Sequence, residues 1–88
     1  MTRFRVVAVG EIVRRGRCVI GDVVEGKVKV GSLLHLEHAA SPAWRVSGVE
    51  FADSPSVGEY HMGLILENAP PLEDLRRLLP QGSLLVAD

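Results

Sequence analysis

Aromatic side chains are scarce in this chain: one Trp, one Tyr and two Phe among 88 residues, 5% in all. So few rings leave no legible stacking array of the kind that readers of single-stranded nucleic acid present. Cysteine is scarcer still. Cys18 stands alone, so no internal disulfide can form, and the expected setting is reducing and cytoplasmic. No run of 18 apolar residues occurs, which excludes a membrane-spanning helix, and no membrane partner is expected. Met1-Thr2-Arg3-Phe4-Arg5 leads into a strand-like stretch and does not read as a signal peptide. Neither sign of charge dominates, the formal net charge being −1.

What is present is an ordinary globular composition, 47% hydrophobic and 24% charged, at a length that fits one domain over residues 1–88. The near-neutral total conceals an asymmetry. Residues 1–29 hold Arg3, Arg5, Arg14, Arg15, Arg17, Lys27 and Lys29 against Glu11, Asp22 and Glu25, while residues 30–88 are net acidic. A local basic patch can attract phosphates even where the whole molecule is neutral.

The pattern along the chain is that of strands. Residues 4–13 are rich in β-branched side chains and contain a helix-disfavouring glycine. Arg14-Arg15-Gly16 gives a turn, and Cys18 to Val24 forms a second strand, so the two predict a hairpin. Val28 to Val30 reads as short and extended, and Leu33 to Leu36 as a third strand with Leu34 and Leu36 on one face. Ser41-Pro42 marks a loop over 39–43. Trp44 to Phe51 alternates, with Trp44, Val46, Gly48 and Glu50 opposite Arg45, Ser47, Val49 and Phe51. Asp53-Ser54-Pro55 signals a turn, and Tyr60 to Glu67 a strand with Met62, Leu64 and Leu66 on one side. Residues 71–79 carry the one helical pattern, with proline first, acids in the first turn and arginines in the last. Ser83 to Val86 closes the chain as a strand. Six short strands and one short helix make an all-β domain, and closure into a barrel would remove exposed strand edges.

Arg14-Arg15-Gly16-Arg17-Cys18-Val19-Ile20-Gly21-Asp22-Val23-Val24-Glu25-Gly26, followed by Lys27-Val28-Lys29-Val30-Gly31, resembles the second, β-barrel domain of translational GTPases such as elongation factor Tu. Arg45 to Phe51 looks like that family's next motif strand. Ser56-Val57-Gly58 to Leu66 and Leu72 to Leu85 look like the motifs that follow in order. The resemblance implies a closed, six-stranded, antiparallel Greek-key barrel of the translation-protein type. It also implies contacts with RNA or the ribosome, which that barrel makes in some members. The departures are instructive. Cys18 and Ile20 stand where the family has valine and threonine, Val24 where it has glutamate, and Ser32 where it has an acid. The nucleotide-binding domain that precedes the barrel in the family is absent from these residues.

Several chemistries are weighed and set aside. Gly21 to Lys27 has the spacing of a phosphate loop, but Val28 occupies the position of the magnesium-binding hydroxyl, and the stretch lies between strands where a phosphate loop opens a helix. No GTP binding is expected. His35 and His38 would project to opposite faces of a strand, so no metal site is expected. Cys18 lies near three arginines, yet it takes a position filled by valine in the family, and a packed role is the simpler reading. No nucleophile–base or paired-carboxylate arrangement is legible, so the expectation is neither an enzyme nor a cofactor-dependent protein.

Two candidate surfaces remain. Arg14, Arg15 and Arg17 around Gly16, together with Lys27 and Lys29, form the candidate anion or nucleic-acid set, since guanidiniums bind phosphate bidentately. If Val19, Gly21 and Val23 face inward, as the family pattern suggests, then Cys18, Ile20 and Val24 make an unusually apolar outer face, a candidate interface with a protein partner or a second copy of the chain. The expected function is a non-enzymatic standalone barrel that mediates protein–protein or self-association. The alternatives are an RNA- or ribosome-binding accessory barrel and a relic of a larger translation factor.

Overall fold

The computed structural model describes residues 1–54 and 59–87. Six antiparallel strands and one short helix follow in the order β1 (Thr2–Ile12), β2 (Gly16–Glu25), β3 (Leu33–Leu36), β4 (Ala39–Ser54), β5 (Glu59–Leu66), α1 (Leu72–Leu78) and β6 (Leu84–Ala87). Their hydrogen-bonded order is β1-β2-β5-β4-β3-β6, and β6 pairs back onto β1, so the sheet closes on itself as a ring. Inside it sit Phe4, Val6, Val19, Leu34, Trp44, Val46, Leu64, Leu66 and Leu85, all buried. α1 adds Leu75, and the residue that caps its end, Leu79, to the same core. The two leucines are four residues apart, so one helix face buries both, each contributing about 1.5–3 kcal/mol. Pro71 and Leu79 bound the helix as expected, with Glu73 and Asp74 in the first turn and Arg76 and Arg77 in the last.

The strict alternation read from the sequence fails in β4 at a bulge, and β1 carries another. In β4 the register steps from Val46 opposite Leu66 to Gly48 opposite Ile65, leaving Ser47 without a partner residue. Trp44 and Val46 therefore point inward, but so does Val49, while Gly48 faces out. The Ser47 hydroxyl donates to the Ile65 carbonyl at 3.3 Å, which satisfies the bulge locally. In β1 a similar step falls between Val6 and Ala8. A third irregularity corrects the loop expected at 39–43. β4 runs through Pro42, because Leu36 faces Ala39 and His35 faces Ala43, so the residues between bulge away from β3. A proline without an N–H is tolerated at such a point. The segment read as extended over Val28 to Val30 is a connection and not a strand. Pro55 of the expected turn, and Ser56 to Gly58 of the motif quoted above, lie outside the described residues.

Gly21 is required by packing. It sits in β2 opposite Val6 and Met62, and a Cβ there would run into the carbonyl oxygen of Arg5.

Candidate functional site

The ring has two distinguishable ends along β1 and β2. At one end the hairpin turns between Ile12 and Gly16, which face each other across the strands. At the other, Arg3 faces Glu25 and the chain leaves β2 for the 26–32 connection. Nine residue steps along β1 put Arg3 about 30 Å from Ile12, but on the other wall of the ring Leu33 pairs with Arg45 and the Gly31 N–H reaches the Val46 carbonyl, beside Leu66 of the hairpin end. The predicted basic set is split between two chain segments. Arg14, Arg15 and Arg17 lie on the hairpin, Lys27 and Lys29 on the 26–32 connection.

The hairpin arginines are mostly partnered. Arg15 forms an ion pair with Glu50 and lies across Gly48, its Nη2 only 3.5 Å from where a Cβ of that glycine would stand. Arg17 reaches Glu11 at 3.8 Å. Arg14, at φ 68, makes no ion pair among the described residues. An open cleft of ≈ 390 Å³ lies between this end and the chain after β5, lined by Arg15, Arg17, Ser47, Glu67 and Asn68 among others. Its one lining carboxylate, Glu67, pairs with Arg45 at 3.8 Å.

The predicted interface residues also separate. Val19 and Gly21 are buried and Val23 packs on the core, so Cys18, Ile20 and Val24 lie on the outer side of β2. Their exposures differ sharply: Cys18 is 4% exposed, Ile20 is half-buried and Val24 is 51% exposed. Cys18 is enclosed in an outer row with Gly10 on β1 and Ile65 on β5, and Ile65 is equally buried beside Gly48. It drops out of any contact surface. Desolvation pushes the Cys18 thiol up from its ordinary value, partly opposed by a hydrogen bond to the Gly10 backbone. Val24 is exposed for a different reason. The register steps between Arg3–Glu25 and Phe4–Val23, so Val24 has no partner residue and bulges outward.

Two exposed residues at this end escaped the sequence reading. Val30 is 61% and Leu33 51% exposed. The Ser32 N–H donates to the Lys29 carbonyl at 3.0 Å, and Gly31 has φ 96, the arrangement of a type II turn with Val30 at its corner. The Val-Gly pair inside Lys29–Ser32 was the signal for it. The turn is fastened to β4 by the Gly31 N–H on the Val46 carbonyl and the Val46 N–H on the Ser32 carbonyl, both at 2.8 Å. Val28, two residues earlier, tucks against the core. Beside the turn runs a groove of ≈ 480 Å³ bordered by Thr2, Lys27, Lys29, Ser32 and Leu33. Thr2 Oγ1 donates to the Lys27 carbonyl at 2.9 Å, tying the start of β1 to the connection, and Met1 beside it is 72% exposed.

The histidines are placed singly. His35 Nδ1 lies 2.7 Å from the Leu36 carbonyl, and His61 Nδ1 lies 3.0 Å from Asp22 Oδ1 on the outer side of the sheet. Among the described residues no three His, Cys, Asp or Glu side chains gather as a metal site would require. No described helix is long and apolar enough to cross a membrane. No family model, curated protein or solved structure matches the chain. Fold and surface together define a small antiparallel β-ring with a charge-paired hairpin end and an apolar, cationic end.

Proposed function

We propose that the chain is a non-enzymatic binding module of the translation-factor β-barrel type, acting through protein–protein contact in a reducing, cytoplasmic setting. The strand order β1-β2-β5-β4-β3-β6 supports the Greek-key barrel reading. The observation that carries the function is the gathering of exposed aliphatic side chains. Of those on the described residues, Met1, Val24, Val30 and Leu33 share the 26–32 end, and Val13 and Leu78 lie apart. Apolar side chains left at the surface of so small a domain forgo stabilisation that a partner can supply. The pairing of the hairpin arginines weakens the RNA alternative, since Arg15 and Arg17 are already engaged by carboxylates. No GTP binding and no cofactor belong to this reading.

The test is affinity purification of the full chain from native lysate, with protein and RNA in the eluate measured together across a salt series. Protein retained with little dependence on salt is expected. RNA recovery that falls steeply with salt would instead favour the RNA-binding alternative.

A further inference from the structure

The groove at the 26–32 end combines two properties that constrain its occupant. Leu33 lines it and is 51% exposed, and Val30, at the corner of the adjoining turn, is 61% exposed. Lys27 and Lys29 stand over the same groove, and neither makes an ion pair among the described residues, unlike Arg3 nearby, which reaches both Glu25 and Glu37 at 3.6 Å. The backbone around them is fixed by the Lys29–Ser32 turn and by Thr2, so a ligand would meet a largely formed surface. Charge also argues against a second copy of this chain. A twofold interface presents the same patch twice, which would set Lys27 and Lys29 against themselves or each other. Like charges juxtaposed across an interface oppose association.

We propose that this groove binds a protein segment in which acidic residues alternate with large aliphatic ones, the carboxylates meeting Lys27 and Lys29 and the aliphatic side chains packing on Leu33. This rests on the protein-binding reading above and adds the chemistry of the partner.

The test uses the full chain and three fluorescent twelve-residue probes: alternating Glu and Leu, alternating Lys and Leu, and alternating Glu and Ser. Anisotropy should show saturable binding of the Glu–Leu probe alone. The variant K27E/K29E should weaken it at least tenfold and gain the Lys–Leu probe, and L33S should weaken it with little change in its salt dependence. Circular dichroism of each variant should match the parent, because none of the three side chains is in the core. Equal binding of the Glu–Leu and Lys–Leu probes, or no binding of either, would overturn the proposal. So would a dimer in sedimentation that L33S dissolves, or polyuridylate binding that K27E/K29E abolishes. If the lysate experiment retains protein while the Glu–Leu probe fails, the partner chemistry is wrong and the binding reading stands. If both fail, the binding reading goes with it.

Discussion

The two ends of the ring carry similar formal charge and use it differently. At the hairpin end, Arg17 is held by Glu11 across the β1–β2 pair, and Arg15 by Glu50, two strands away on β4. At the 26–32 end, Lys27 and Lys29 border a groove with Leu33 and make no ion pair among the described residues. Exposed ion pairs of the first kind contribute about 0–1 kcal/mol each, so their main effect is on the surface potential and not on stability. A cluster of basic residues in a sequence therefore says little about anion binding until its partners across the sheet are known.

Both ends depend on the closed ring, and Gly21→Val tests that first. A side chain at this position meets the Arg5 backbone and the Phe4 ring, and β2 joins both ends. The cost should reach about 3 kcal/mol, a large part of what a domain this small has to lose. Urea titration followed by circular dichroism should show the variant unfolded or nearly so. Gly31→Ala offers the contrast. Nothing lies within 4 Å of a Cβ there, so only the positive φ is strained, and the loss should stay near 1 kcal/mol and disturb one end alone.

Removing the hairpin carboxylates leaves the arginines without their partners. In E11Q/E50Q the arginines keep their places and lose their counter-charges. Polyuridylate affinity should rise several-fold, with a steeper salt dependence, while stability moves by less than about 1 kcal/mol. No rise would mean that something other than internal pairing keeps the hairpin end from binding phosphates.

The smallest effect concerns Cys18. Its thiol pKa is raised in the folded protein by burial, so the unfolded chain loses the proton first as pH climbs. The contribution to stability is constant below the ordinary thiol value of 9.0 and declines as pH rises past it. Urea midpoints for the parent and Cys18→Ala should run parallel at neutral pH and converge in alkali. A gap that widens in alkali would contradict the sign. Thiol reagents should label Cys18 slowly until denaturant is added.

Much of the fold was legible because local signals agreed: β-branched runs ended at Gly16, Gly26 and Gly31, and Pro71 to Leu79 carried a complete helix signature. Register was harder. Period-two reading assigns Val46 and Val49 to opposite faces, and one extra residue, Ser47, puts both in the core. The Ser47-Gly48 pair was a sign of that bulge. The surfaces were least legible of all. Cys18 lies on the predicted side of β2, yet small neighbours on β1 and β4 let the outer row close around it. Glu11 faces Arg17 within the hairpin, but Glu50 is distant in sequence from Arg15, and only strand pairing brings the two together. Conversely, the exposure of Val24 follows from a register step that no single-strand pattern encodes.

The central claim is that partners meet the 26–32 end and not the hairpin end, and site-specific photo-crosslinking in cells compares the two directly. A photoreactive residue replaces Val30 in one variant and Val13 in another, both positions being exposed, at 61% and 83%. The account predicts a discrete protein adduct from position 30 that K27E/K29E diminishes, and no comparable adduct from position 13. Adducts of equal yield from both positions, or an RNA adduct confined to position 13, would contradict it.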